Sequence, residues 1–287
     1  MAAYSIRTQS SSGKRQAYFM APEVPKKTRV PRASDLLLTQ SVTSIEPPTE
    51  VREKLGSSQL MIGVDIETHD WEERRGNQGS LGQFGFYSLC HPDDFNARIV
   101  QIGWTIGSHD HVLVTKEHLV RPESFNVSMK AAKYHGITHE KACAEGNPID
   151  VVLQEFMQDI LDVDQRGGRM VVHHLEFDCG IIARELERAN SKYQKEWSRI
   201  ARRGVCTMDP SIGRWLRACF GEEQSSNKKT NTMRLSKLVS KLLPGGDAQF
   251  GLPHTAGADS HRHLRLYFEM LKLAGVDHSA VERLHVS

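Results

Sequence analysis

The chain has 287 residues, 39% hydrophobic and 25% charged, with a formal net charge of +2. This is the composition of a soluble globular protein with room for a sizeable core. No apolar run reaches the roughly 18–20 residues that span a bilayer, no secretory h-region is present, and the five cysteines include no C-x-x-C pair. These features argue against a membrane protein, a disulfide scaffold and a zinc ribbon, and point to a reducing intracellular compartment, cytoplasmic or nuclear.

The charge is unevenly divided. Residues 1–34 carry seven Lys or Arg against Glu23 alone, a net +6, and the remainder carries 30 basic against 34 acidic residues, a net −4. Residues 1–57 are rich in Ser, Pro, Thr and basic residues, which reads as a disordered arm. Such an arm supplies attraction to phosphates, a docking segment for a protein partner, or an address, organelle targeting included. Within it, Ser34–Leu38 (SDLLL) is either a short partner-binding helix or a frayed linker.

Order is expected from residue 58 to 287. QLMIGVDIET reads as a buried strand, and ARIVQIGWTIG and DHVLVT as two more, so three strands without an intervening helix predict antiparallel neighbours. Between the first two lies an insert at about residues 69–97. From Asn126 helix and strand alternate: a helix over PIDVVLQEFMQDILDV, a strand over GRMVVHH, a helix over EFDCGIIARELERAN, a strand over GVCTMD, a helix from Pro210 and another over MRLSKLVSKLL. A final helix is predicted from near Thr255 to Gly275. The succession predicts one α/β domain built on a mixed sheet, three antiparallel strands followed by parallel ones, flanked by helices.

Four acids fall at special places in this pattern. Asp65 and Glu67 are two apart in a strand, and so on one face. Two close carboxylates among apolar neighbours repel unless a cation or a shared proton relieves them. Asp178 opens a helix at the edge of its buried stripe, where the plain alternative is a partner for the helix dipole. Asp259 stands at the edge of the core face of the last helix, five residues after His254. On one continuous helix these two would point about 140° apart, so they converge only if His254 lies on the loop before the helix, as Pro253 suggests. On that helix His263 falls on the core side, and His261 and Arg262 on the opposite, solvent side. Four acids and one histidine are the inventory of a two-metal phosphodiester hydrolase, with hard oxygen ligands suited to two Mg²⁺ or Mn²⁺ and a histidine as general base.

Three stretches, taken in order, resemble the motifs of the DEDDh family of 3′→5′ exonucleases, which have a ribonuclease H-like fold. VDIET (Val64–Thr68) is similar to the first motif, VVHHLEFD (Val171–Asp178) to the second, and HTAGAD (His254–Asp259) to the third. RIVQIGW, YHGIT and RLSKL add secondary agreement, and the resemblance covers about residues 58–275. It implies that Asp65, Glu67 and Asp259 hold the metal that activates water, that Asp65 bridges to a second metal, and that Asp178 supports the metals. It also implies that His254 is the general base and that the substrate is a DNA or RNA 3′ end, released as nucleoside 5′-monophosphates. Thr68, Trp71, His174 and Phe177 are the substrate-binding candidates; Trp71 either stacks on a base or packs the insert onto the body. Three departures stand out: His174 replaces the usual asparagine, Pro210 follows Asp209 where threonine is common, and HDW follows the first motif where T-G-L is frequent.

Other readings stay open. The basic groups Arg199, Arg202, Arg203 and Lys228, Lys229 are either a path for a phosphate backbone or solvated faces. His263 is a packed core histidine, with a contact to the metal ligands as the alternative. A nucleic-acid-binding or scaffold protein on a degenerate exonuclease fold, and a proofreading or processing subunit of a larger complex, are the rival functions; filled catalytic positions argue against degeneracy.

Overall fold

The computed structural model describes residues 42–70, 97–223, 231–243, 245–246, 250 and 254–276. The Ser34–Leu38 stretch, Trp71 and most of the insert, and Lys228 and Lys229 lie outside these residues.

The central strand, β1 (Met61–Thr68), explains much of the architecture. Its alternation sends Ile62, Val64 and Ile66 into one apolar cluster, while Met61 joins a second cluster on the opposite face. β2 (Ile99–Gly107) pairs antiparallel with β1, and β3 (Val112–Leu119) antiparallel with β2. On the other side β4 (Arg169–Val172) pairs parallel with β1, and β5 (Val205–Cys206) parallel with β4. The sheet order is therefore β3-β2-β1-β4-β5. The fold is the expected mixed sheet, antiparallel where strands follow directly and parallel where helices intervene.

Helices cover both faces. Against Ile62, Val64, Ile66 and Trp104 pack α4 (Ile149–Gln165), α5 (Leu175–Arg188) and α6 (Gln194–Ala201), through Phe156, Ile182 and Trp197 among others. On the other face lie α1 (Thr49–Leu55), α7 (Pro210–Cys219), α8 (Leu235–Leu242) and α9 (Ala256–Leu273). Each fully buried Leu, Ile or Phe in these layers contributes about 1.5–3 kcal/mol against exposure. Two short helices, α2 (Met129–His135) and α3 (His139–Glu145), form a smaller cluster around Val127 and Ile137. No helix among the described residues is long and apolar enough to cross a membrane.

Two expectations need correction. Residues 49–55 fall inside the stretch read as a disordered arm, yet they form α1, with Val51 and Leu55 buried. The Leu55 carbonyl accepts hydrogen bonds from Tyr267 Oη at 3.1 Å and Arg169 Nη1 at 3.0 Å. Seven residues are too few for the apolar period to stand out in sequence, and tertiary contacts supply the stability. Arg262, assigned to the solvent face of the last helix, is only 1% exposed. That helix is wrapped on nearly all sides, and a carboxylate partner makes burial of the guanidinium tolerable.

Pro210 opens a helix. It occupies the first turn of α7, and the Asp209 carboxylate before it accepts from Ser211 N at 2.8 Å and from Lys54 Nζ at 2.9 Å. Within the basic group at 199–203, the Arg199 and Arg203 guanidinium groups both bind Asp164, at 2.5 and 2.7 Å.

Candidate active site

The site is built on the β1 face that lies under α9. Asp65 and Glu67 share that face with Met61 and Gly63. Gly63 is where α9 comes closest to the strand: a Cβ there would lie 2.1 Å from the Ser260 carbonyl oxygen. On β2, Gly103 pairs with Asp65, and a Cβ on it would lie 2.2 Å from the Ala256 carbonyl carbon. Two glycines on adjacent strands thus let the start of α9 settle onto the sheet beside the two acids. The helix start is capped from below: Ala256 N donates to Gln101 Oε1 at 2.9 Å, and Gly257 N to Glu117 Oε2 at 2.8 Å.

Asp259 sits in the first turn of α9, one helical step from these caps, and both of its oxygens are engaged. Arg262 Nη1 donates to Oδ1 at 2.7 Å, and the His254 backbone amide donates to Oδ2 at 3.2 Å. His254 precedes the helix, as the loop reading requires, and holds a left-handed φ of 61° that few non-glycine residues adopt. Its imidazole packs on Tyr134 with ring centroids 4.0 Å apart. Asp178 comes from the first turn of α5, with its amide hydrogen-bonded to the His174 carbonyl at 3.1 Å.

These groups line one cleft of about 440 Å³, into which Asp65, Glu67, Thr68, His174, Phe177, Asp178, His254 and Asp259 all converge. Of the candidates named for catalysis, metal binding and the terminal nucleotide, only Trp71 lies outside the described residues. His174 and Phe177 stack within 8° of parallel, centroids 5.5 Å apart. Thr68 fixes the end of β1: its carbonyl accepts from His135 Nε2 at 3.1 Å, while His135 Nδ1 accepts from Ile137 N. The sequence reading missed Tyr134, His135 and His173 as cleft residues, along with the capping pair Gln101 and Glu117. The YHGIT stretch was a signal for the first two.

The electrostatics of the cleft call for positive charge. Burial pushes the Asp65 carboxyl well above the usual range, and Asp178, Glu67 and Asp259 push it further, with Arg262 opposing. Asp178 is raised in the same direction, by burial and by Glu67. Glu67 is raised to about 8 by burial, Asp259 and Glu117. Carboxylates that hold protons this strongly cannot all ionise near neutral pH without a cation among them. The donor set fits one: Glu67, His254 and Asp259 each offer a ligand atom, and these atoms lie within 4.8 Å of one another. Oxygen donors dominate, as divalent Mg²⁺ or Mn²⁺ requires.

Neither protein-family models nor curated proteins match this chain. Solved structures do. E. coli exonuclease I in complex with a dT13 oligonucleotide superposes with a TM-score of 0.51 at 16% identity, over 75% of this chain and 41% of that one. The same enzyme with dA16 gives 0.50 at 15%, over 76% and 42%. Over that region the two proteins share a fold. This chain therefore spans about two-fifths of the length of exonuclease I. The nuclease domain of 3′hExo, a DEDDh family member bound to rAMP, aligns over 75% of this chain and 92% of its own, with a TM-score of 0.49 at 17% identity.

Proposed function

We propose that this chain is a metal-dependent 3′→5′ exonuclease that shortens DNA or RNA from the 3′ end and releases nucleoside 5′-monophosphates. The observation that carries the reading is the convergence of Asp65, Glu67, Asp178 and Asp259, from three separate elements, on one cleft that His254 also lines. The shared fold with exonuclease I, solved with single oligonucleotides, supports nucleic acid as the substrate class.

In this reading Asp65, Glu67, Asp178 and Asp259 hold two Mg²⁺ or Mn²⁺. Bound, the cations supply the charge that stabilises the transition state of phosphoryl transfer. The chain's own contribution is placement. The carboxylates are fixed by β1, α5 and α9, so little reorganisation is left for the reaction. His254 takes a proton from the attacking water, whose oxygen bonds to phosphorus as the bond to the 3′ oxygen breaks. The shortened strand leaves with a 3′ hydroxyl after protonation from solvent. Its position on a loop lets His254 leave Asp259 Oδ2 and turn toward substrate. Thr68, His174 and Phe177 form walls against which the terminal nucleotide is held.

The test is a panel of 5′-labelled single- and double-stranded DNA and RNA, with Mg²⁺, Mn²⁺ or EDTA, for the native chain and Asp65→Asn. The expected result is shortening from the 3′ end that needs a divalent cation and is lost in Asp65→Asn. Full activity in that variant, or no shortening of any substrate by the native chain, overturns the proposal.

A further inference from the structure

The cleft contains a buried polar atom with no hydrogen-bond partner. His263, one turn beyond Asp259, is 0% exposed. Its Nδ1 lies 2.8 Å from the Val64 carbonyl oxygen. A carbonyl oxygen only accepts, so Nδ1 carries the proton and donates it. On the neutral ring Nε2 is then a bare acceptor, and among the described residues no donor reaches it. Asp65 Oδ1 is 3.8 Å from it, beyond hydrogen-bond length. A second imidazole lies beside the His263 ring. His173 stacks on it at 6.0 Å, and is itself fixed by a 2.8 Å hydrogen bond between Nδ1 and Thr207 Oγ1.

Buried acceptors without a donor are rare, and leaving one unsatisfied is destabilising. Here two electron-pair donors, an imidazole nitrogen and a carboxylate oxygen, face each other across a gap at the wall of the cleft. A cation satisfies both. Ligand atoms about 2.0–2.2 Å from a common ion lie at most roughly 4.4 Å apart, so a separation of 3.8 Å is within reach of one ion.

We propose that His263 is a nitrogen ligand to the cation held at Asp65, making this a mixed carboxylate–imidazole centre that favours Mn²⁺ over Mg²⁺. The proposal rests on the reading of Asp65 as a cation ligand. Imidazole nitrogen suits the transition ions, whereas Mg²⁺ is served by oxygen alone. The identity of the working ion is thereby written into a residue of the last helix that none of the three acidic motifs contains.

The experiment loads the full chain with Mn²⁺ in a His254→Ala background, which removes the other imidazole near Glu67 and Asp259. Calorimetry measures the binding of Mn²⁺ and Mg²⁺, and pulsed electron paramagnetic resonance detects nitrogen coupled to bound Mn²⁺. His263→Asn keeps an amide able to donate to Val64 and loses Nε2; His263→Gln serves if the first variant does not fold. The expected result is nitrogen coupling that vanishes in the variant, with the ratio of Mn²⁺ to Mg²⁺ affinity falling about tenfold. Mn²⁺ bound without nitrogen coupling, or with coupling that survives the substitution, overturns this inference and leaves the carboxylate site standing. No Mn²⁺ binding at all removes the underlying reading, and this inference with it.

Discussion

Arg262 Nη1 donates to Asp259 Oδ1 at 2.7 Å, and both side chains are buried, at 1% and 8% exposure. The guanidinium also lies over the Phe250 ring, 5.6 Å from its centroid. The pair gives Asp259 a fixed orientation before any cation arrives. Breaking a buried pair from one side leaves an uncompensated charge, which typically lowers stability by about 3–5 kcal/mol. Arg262→Met is therefore expected to lower the unfolding free energy by about that amount in the absence of metal. Saturating Mn²⁺ should recover part of the loss, since the ion then shares the Asp259 charge. Denaturant unfolding with and without Mn²⁺ checks this; an equal loss in both conditions would detach Arg262 from the cation site.

The His254 ring leans on Tyr134, and Tyr134 stands on a short helix whose His135 is tied to the end of β1. Removing the imidazole with His254→Ala is expected to lower kcat by about 10²–10⁴-fold, the usual contribution of a positioned general base. Tyr134→Phe keeps the packing surface and should stay within a factor of about two of the native rate. Tyr134→Ala removes it and should lower kcat by roughly tenfold, since a loosely held base is a poorly placed one. Single-turnover cleavage of a labelled oligonucleotide separates these effects from binding; a Tyr134→Ala rate equal to the native one would mean that His254 needs no such wall.

The raised carboxyls fix the sign of a pH effect on stability. Glu67 moves from an ordinary value of 4.5 to about 8, and Asp65 and Asp178 move in the same direction. Over that window these three carboxyls bind more protons in the folded protein than in the unfolded chain, so their contribution to stability falls as pH rises. The buried histidines, His173 and His263 among them, are pushed down by burial and act in the opposite sense up to their ordinary value of 6.5. Below about 4.5 the Glu67 contribution is fully present, and by the time pH passes about 8 it is lost. Metal-free protein should accordingly show a melting temperature that decreases between about pH 7 and pH 8, above the range in which the histidines titrate in the unfolded chain. Divalent cation should flatten this slope, because the ion replaces the protons, and Glu67→Gln should flatten it without metal. A melting temperature that rises over the same window in EDTA would contradict the electrostatics of the cleft.

Much of this arrangement is legible in the sequence. Period two along MIGVDIET puts Asp65 and Glu67 on one face, and the structure has them there, under α9. The helix periods of α5 and α9 put Asp178 and Asp259 at the edges of buried stripes, and Pro253 marked His254 as a loop residue. What escaped depends on contacts between distant segments. Glu117 sits on an edge strand with the alternation of a solvated face, yet its Oε2 caps the α9 amide of Gly257. Arg262 reads as a solvent residue because helical position alone cannot reveal that Asp259 neutralises it. α6 went unnoticed because its eight residues are mostly polar, although Trp197 and Ile200 anchor it. The insert at about residues 69–97 is the stretch about which the sequence says least.

The close approach of α9 to the sheet depends on Gly103. A methyl group there would stand 2.2 Å from the Ala256 carbonyl carbon and 2.3 Å from Gly257 N, both backbone atoms that cannot step aside without moving the helix. Gly103→Ala should lower stability by about 1–3 kcal/mol through overpacking, and it should also displace Asp259 from Asp65 and weaken Mn²⁺ binding by roughly tenfold or more. Gly257→Ala is the comparison. Its added methyl meets the Glu117 side chain, 2.7 Å away at Oε2, whose rotation gives up the cap on the Gly257 amide but leaves the helix backbone in place, and alanine gains up to about 1 kcal/mol over glycine within a helix. That variant should lose less stability and less Mn²⁺ affinity than Gly103→Ala. Unfolding curves and Mn²⁺ titrations of the two proteins decide the matter. If Gly103→Ala binds Mn²⁺ as tightly as the native chain, the seating of α9 on the sheet does not set the geometry of the site.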